Sequence, residues 1–127
     1  MFLNLDVFHF VGSERMYRKD RIEKILGISE RSEEEKVEHI HADIALALQM
    51  ITEDVLERMC SYALSITQSN HICLAGGVAL NAVANGKLKQ LIPNSVFYFY
   101  PNAGDAGAAA GAAYASYFTL YPNHREH

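Results

Sequence analysis

Residues 71–117 read HICLAGGVALNAVANGKLKQLIPNSVFYFYPNAGDAGAAAGAAYASY and contain the same succession of elements twice. A short apolar run, 72–75, leads through Gly76-Gly77 into a helical pattern. A second apolar run, 96–100, leads through Gly104-Asp105 into a helix rich in alanine and glycine. Strand, turn and helix units of this kind build parallel sheets, and ligands bind where the strand ends face the helix starts. The stretch therefore predicts an α/β fold with a candidate site at its two turns.

The chain before this stretch predicts four further segments. Alternating apolar residues at 2–8 indicate a strand, and residues 15–26 indicate a short helix that ends at Gly27. Residues 28–38 are polar and predict a solvated connector. Residues 37–67 predict a long amphipathic helix with Glu53 on its solvated face. Its predicted buried stripe is Ile40, Ile44, Leu48, Ile51, Val55, Met59 and Ala63.

Length and composition limit the possible function. With 127 residues, of which 50% are hydrophobic and 20% charged, the chain is one globular domain or a piece of one. The net charge of −4 argues against nucleic acid or an anionic membrane as the main partner. The apolar segment 104–118 is too short to span a bilayer, so no membrane partner is expected.

The two cysteines, Cys60 and Cys73, have neither a CxxC arrangement nor a metal-ligand spacing. Each lies in an apolar pattern, which predicts two buried free thiols of the kind found in a reducing cytosol. Asn4 and Asp6 interrupt the first residues, which therefore do not resemble a signal peptide. We expect a cytoplasmic protein.

Gly76 and Gly77 are the first candidate site. A glycine pair permits positive φ and leaves room for a ligand to touch the main chain, and the following helix start offers unpaired N–H groups. Asn81 follows at a distance suited to hydrogen bonding with a base or ribose. No lysine stands where a phosphate-binding Walker loop would place one. The alternative is a tight strand-to-helix turn that binds nothing.

Asp105 is the second candidate. At the start of a helix it can be an N-cap that accepts hydrogen bonds from the N–H groups of Gly107 or Ala108. The alternative is a carboxylate that the helix start keeps ionised above the sheet, where it can bind a metal ion. The spacing leaves both interpretations open.

The residues of this stretch resemble a known family. LAGGVALNAVANGKL at 74–88 and PNAGDAGAAAGAA at 101–113 are similar to the O-carbamoyltransferases, which include nodulation-type and antibiotic-tailoring enzymes. FLNLDVF at 2–8 and HADIALALQMITEDVL at 41–56 extend the resemblance over essentially the whole chain. It implies a ribonuclease-H-like lobe of the actin and sugar-kinase superfold, with a mixed sheet and flanking helices. Residues 1–127 would form one partial domain, the second lobe, with a frayed tail at 119–127.

The resemblance also implies a reaction and a set of site residues. A carbamoyl group would pass from carbamoyl phosphate, through a carbamoyl-adenylate made with ATP, to a hydroxyl of a sugar or antibiotic-like acceptor. Gly76, Gly77 and Asn81 would contact adenosine, and Gly104 and Gly107 would lie near the phosphates. Asp105 would be a ligand of the active-site metal, which is expected to be iron.

This sequence departs from the family pattern in one important respect. The two histidines that the resemblance implies for the metal site, spaced HxxxH in a first lobe, do not occur in these residues, and the resemblance covers neither that lobe nor the adenylate-forming domain. We therefore expect the isolated chain to be inactive, to need those parts as partners, and to self-associate, as a homodimer for example. The alternatives are a lobe of a sugar kinase or of a tRNA threonylcarbamoyl-adenosine synthase, or a non-catalytic interaction module.

Overall fold

The computed structural model describes residues 4–9 and 15–124. The chain divides into two compact units, residues 1–38 and residues 39–127, which are described separately. None of the helices in the described ranges is long and apolar enough to cross a membrane.

The first unit contains helix α1, Lys19–Leu26. Gly27 follows with φ of 70°, and its N–H donates to the carbonyl oxygen of Glu23 at 2.8 Å. A left-handed glycine after the last turn is a common helix ending, and the predicted stop at Gly27 is confirmed. The helix begins at Lys19, four residues after the predicted start.

The strand predicted at 2–8 is wrong for the residues that the structure describes, 4–8. The Asn4 side chain accepts a hydrogen bond from the N–H of Asp6 at 3.0 Å, and the Asn4 carbonyl accepts from Phe8 at 3.0 Å. This local turn replaces the alternating strand, because a short asparagine side chain competes well for nearby N–H groups. Phe8 makes a single antiparallel bridge to Tyr17. Residues 2 and 3 lie outside the described residues.

The polar connector after α1 is held by two side chains. The Glu30 carboxylate forms ion pairs with Arg15 and Lys19 at 3.0 and 2.9 Å. Hydrogen bonds from these two cations lower the pKa of Glu30 to about 2. The Arg31 guanidinium donates to the carbonyl oxygens of Ser32 and Glu35. The connector is solvated as predicted, and its path is fixed by these charged groups.

The second unit is a strand–helix–strand arrangement beside one long helix. Its elements are α2 (His39–Thr67), β1 (His71–Leu74), a 3₁₀ helix (Gly77–Leu80), α3 (Ala82–Leu91), β2 (Val96–Phe99) and α4 (Gly107–Leu120). Strands β1 and β2 are parallel, with Ile72 opposite Phe97 and Leu74 opposite Phe99. The α/β class is confirmed. Within the described ranges the sheet has these two parallel strands and is not the mixed sheet predicted.

One face of the sheet is covered. The core consists of Cys60, Leu88 and Phe97, and five partly buried residues pack around it: Leu56, Ile72, Leu74, Ile92 and Phe99. The other face carries Cys73 and Tyr98, and both side chains are exposed. Cys60 is buried as predicted, and burial raises the pKa of its thiol. The prediction that Cys73 is buried is wrong, because this two-stranded sheet leaves that face open.

The face of α2 that is buried differs from the predicted one. Glu53 and Cys60 are buried, whereas Leu48, Ile51 and Met59 of the predicted stripe are 61%, 56% and 63% exposed. Helix α2 packs against α3 and β1 along the line that contains Leu56 and Cys60. Apolar spacing identified the helix, but it did not show which side of it meets the neighbouring elements.

Helix α4 contains no buried residue. Towards its end, aromatic rings contact one another in sequence, from Tyr114 to Phe118 and from Tyr117 to Tyr121. The helix continues through Leu120, and the N–H of His124 donates to the Tyr121 carbonyl at 3.1 Å. Residues 125–127 of the predicted tail lie outside the described residues.

Candidate functional site at the two glycine turns

The two glycine turns meet at the carboxyl ends of β1 and β2. The N–H of Gly76 donates to the carbonyl oxygen of Ala103 at 2.7 Å. Ala79 and Ala103 are buried, at 6% and 5% exposure, so small side chains let the turns approach closely. This contact joins the two turns, which the sequence offered as separate candidates. It is the edge where parallel α/β sheets bind ligands.

The first turn is open beside its glycines. Gly76 has φ of 93° and ψ of 167°, a conformation that side chains disfavour. A Cβ atom added at Gly76 or at Gly77 would meet no atom within 4 Å. The glycine at 76 is therefore required by the backbone, and both positions leave space next to the main chain.

The second turn is more crowded. A Cβ at Gly104 would lie 3.4 Å from Cδ1 of Leu80, and a Cβ at Gly107 would lie 2.2 Å from the carbonyl oxygen of Asn102. The N–H of Gly107 donates to the Gly104 carbonyl at 3.0 Å. Close packing within the turn is thus a sufficient reason for glycine at 107.

Asp105 is exposed and its side chain does not cap α4. The N–H of Gly107 binds the backbone carbonyl of Gly104, and the N–H of Ala108 binds the backbone carbonyl of Asp105. The capping interpretation is therefore wrong, because both donors are already satisfied by the main chain. Within residues 4–9 and 15–124, no group of three histidine, cysteine or acidic side chains is placed to hold a metal ion. The described residues thus supply one carboxylate and not a complete iron site.

Asn81 ends the 3₁₀ helix and caps α3. Its Oδ1 accepts from the N–H of Ala84 at 3.1 Å, and its backbone is extended, with ψ of 90°. The helical pattern after Gly76-Gly77 is therefore divided into two helices at Asn81, and α3 begins at Ala82. Asparagine is a preferred residue at such a position.

A polar chain of four side chains connects α2 with α3 and ends at Asn81. Nε2 of Gln49 donates to Glu53 at 2.9 Å and to Oδ1 of Asn81 at 3.3 Å, while Nδ2 of Asn81 donates to Oε1 of Gln49 at 2.8 Å. Nζ of Lys87 lies 2.5 Å from the other Glu53 oxygen. Hydrogen bonds from Lys87 and then Gln49 lower the pKa of Glu53.

The placement of Glu53 on a solvated face was therefore wrong, and the role of Gln49 was missed. Glu53 is 9% exposed, and its charge is balanced by Lys87, 34 residues further along the chain. A signal did exist in the sequence. Gln49, Glu53, Leu56 and Cys60 repeat at four, three and four, which places them on one helical face.

Comparisons with known proteins agree with the resemblance. The family described as "Carbamoyltransferase N-terminus" matches residues 3–114. The uncharacterized protein sll1178 of Synechocystis sp. is 35% identical over 123 residues, which are 97% of this chain and 20% of that protein. The nodulation proteins NolO of Bradyrhizobium diazoefficiens and NolNO of Sinorhizobium fredii are each 37% identical over 73 residues, 58% of this chain.

The chain spans about a fifth of the Synechocystis protein, and its match covers 13% and 11% of the two nodulation proteins. No solved structure matches it. The family match extends over most of the chain and includes both glycine turns and the polar chain at Asn81. This chain belongs to the carbamoyltransferase N-terminal family.

Proposed function

We propose that the chain is a nucleotide-binding lobe of a carbamoyltransferase. The observation that supports this most directly is the 2.7 Å hydrogen bond from Gly76 to Ala103, which joins the two turns at the ligand-binding edge of a parallel sheet. In the proposed reaction, carbamoyl phosphate is hydrolysed to carbamate and inorganic phosphate, and the carbamate then displaces pyrophosphate from ATP to give a carbamoyl-adenylate. An acceptor hydroxyl then forms a bond to the carbamoyl carbon and AMP departs. The acceptor belongs to a sugar or an antibiotic-like molecule.

In this proposal the first turn contacts adenosine. Gly76, Gly77 and Asn81 approach the nucleoside, and the open space beside both glycines is consistent with a ligand against the main chain. Gly104 and Gly107 lie near the phosphates, at the start of α4, where the partial positive charge of the helix dipole favours negative charge.

The role proposed for Asp105 is that of one metal ligand. Its carboxylate is exposed beside the joined turns, and its side chain takes no part in capping α4. Since the described residues do not form a complete site, iron would need further ligands from outside this chain. Iron content of the full-length protein tests this. We expect Asp105→Asn to lose iron and the helix control Asp54→Asn, which removes a carboxylate that pairs with Arg58, to keep it. Equal iron in both variants would contradict the assignment.

The proposal also includes a fold and partners. The parallel β1–α3–β2 unit is compatible with a ribonuclease-H-like lobe of the actin and sugar-kinase superfold, which closes on a first lobe and works with an adenylate-forming domain. Helix α2 exposes Leu48, Ile51 and Met59, and α4 buries none of its residues. Exposed apolar surface of this kind favours association, so the isolated chain is expected to form a homodimer. Sedimentation analysis of the isolated chain would show a monomer if this is wrong.

The activity is tested with the full-length protein, ATP and ¹⁴C-labelled carbamoyl phosphate. Transfer of label to a hydroxyl-bearing acceptor, dependent on ATP, is the expected result. ATP titration of wild type, Gly77→Val and Asn81→Ala then tests the site, and binding that is equal in all three would contradict the adenosine assignment. Phosphorylation of a sugar without carbamoyl transfer would support the sugar-kinase alternative.

A further inference from the structure

Within the polar chain, the Gln49–Asn81 pair lies between two groups whose hydrogen-bonding character is fixed. At one end, the ionised Glu53 carboxylate accepts hydrogen bonds and cannot donate them. At the other end, the backbone N–H of Ala84 donates and cannot accept. Gln49 and Asn81 lie between these two groups. The side-chain amide of each would otherwise be free to flip by about 180° and exchange the positions of its oxygen and nitrogen.

The two ends together determine the orientation of both amides. Gln49 must present its NH₂ group to Glu53, and Asn81 must present its oxygen to Ala84. These orientations leave the Gln49 oxygen facing the Asn81 NH₂ group, at 2.8 Å, and the bond forms without conflict. The salt bridge from Lys87 keeps Glu53 ionised and therefore maintains the direction of the whole chain.

The side-chain donors and acceptors of Asn81 that remain free can be counted from the hydrogen bonds it already makes. Its oxygen accepts from Ala84 and from Gln49, which uses both lone pairs. One N–H of its NH₂ group donates to Gln49. In the ranges that the structure describes, the second N–H has no acceptor, and Asn81 is half-buried and so accessible from outside.

We infer that Gln49 is a positioning residue which restricts Asn81 to a single free N–H donor, so that the ligand atom it meets is a hydrogen-bond acceptor. For an adenosine moiety, this means a ring nitrogen or a ribose oxygen and not the exocyclic amino group. The inference rests on the proposed function for the nature of the ligand. It adds that Asn81 donates the hydrogen bond to the ligand and that Gln49 and Glu53 fix this direction.

Asn81→Asp separates the donor from the cap. An aspartate oxygen still accepts from Ala84 and from Nε2 of Gln49, so the cap of α3 is retained. The free donor is lost, and so is the donor that binds Oε1 of Gln49, where two oxygens would now face each other. Adenosine is the appropriate probe for titration calorimetry with the full-length protein, because the new carboxylate would repel the phosphates of ATP. We expect adenosine affinity to fall about tenfold, the worth of one hydrogen bond near the upper end of its range, and Tm to fall by about a few degrees because the bond to Gln49 is also lost.

Gln49→Met tests the positioning role. Methionine keeps the length of the side chain and removes both hydrogen bonds to Asn81, so adenosine affinity should fall about three- to tenfold. Gln90→Met on the exposed surface of α3 is the matched control and should bind as wild type does. If Gln49→Met fails to fold, Glu53→Gln replaces the acceptor-only end by an amide that can turn, and a drop of about two- to fivefold is expected.

The outcomes distinguish this inference from the function on which it rests. Wild-type affinity in Asn81→Asp would overturn the donor assignment, and wild-type affinity in folded Gln49→Met or in Glu53→Gln would overturn the positioning role. In both cases binding by the wild type would leave the proposed function standing. A wild-type protein that binds neither adenosine nor ATP would overturn the proposed function and this inference with it.

Discussion

The backbone of Gly107 lies so close to the carbonyl oxygen of Asn102 that a Cβ atom would be 2.2 Å from it. Gly107→Ala must therefore move the turn that precedes α4. We expect the free energy of unfolding to fall by about 1–3 kcal/mol, as is typical when an atom is forced into a packed position. Urea denaturation followed by circular dichroism measures this.

Gly111 provides the matched control in the same helix. A Cβ there meets no atom within 4 Å, and alanine favours a helix interior more than glycine does. Gly111→Ala should stabilise the protein by about 0.5–1 kcal/mol. Equal destabilisation by both alanines would show that the Asn102 contact is not the cause.

Gly76 and Gly77 should differ in how much stability the protein loses when alanine replaces them. At Gly76, φ of 93° and ψ of 167° are unfavourable for any side chain, so Gly76→Ala should cost about 1–3 kcal/mol of stability. Gly77 has neither a positive φ nor a neighbour within 4 Å, so Gly77→Ala should leave Tm nearly unchanged. If Gly77→Ala melts as early as Gly76→Ala, the strain argument for Gly76 fails.

The first unit should lose stability in acid because of Glu30. Its pKa is lowered from 4.5 to about 2 in the folded chain, so the ionised form is favoured by folding. The stabilisation is complete above pH 4.5 and disappears as the pH falls towards 2. Amide hydrogen exchange in α1 at pH 6 and at pH 3, compared with Glu30→Gln, measures the effect. Protection that falls equally in the variant would exclude Glu30 as the source.

The two cysteines should differ in reactivity towards iodoacetamide. Cys73 is exposed on the open face of the sheet, whereas Cys60 is 4% exposed and its thiol pKa is raised by burial. Native protein should be alkylated quickly at Cys73, and Cys60 should react after unfolding. Mass spectrometry of wild type and of Cys73→Ser measures both rates. Fast labelling of the native serine variant would show that Cys60 is accessible.

Much of the second unit was predictable because its signals are local. Apolar runs bounded by glycine and proline predicted β1 and β2 to within a residue, and the two glycine turns predicted that a helix follows each strand. The strand at 2–8 failed for residues 4–8 because alternation says nothing about the Asn4 side chain, which forms a turn with its own neighbours.

The polar chain could not be predicted in the same way. The burial of Glu53 depends on Lys87, and the orientation of Asn81 depends on Gln49, 32 residues away. Both pairs form when α2 packs on α3, and apolar spacing does not determine which face of α2 takes part. The role of Asp105 likewise depends on main-chain bonds within the turn, which residue types at a given spacing do not reveal.

Within the part of the chain that the structure describes, both strands of the sheet are edge strands. Strands β1 and β2 pair with each other along one side, and each has an outer side with no strand beside it. Parallel sheets in α/β proteins usually have more strands and both faces covered. Strands supplied by other parts of a larger protein would pair along these outer sides, away from the joined turns at the end of the sheet.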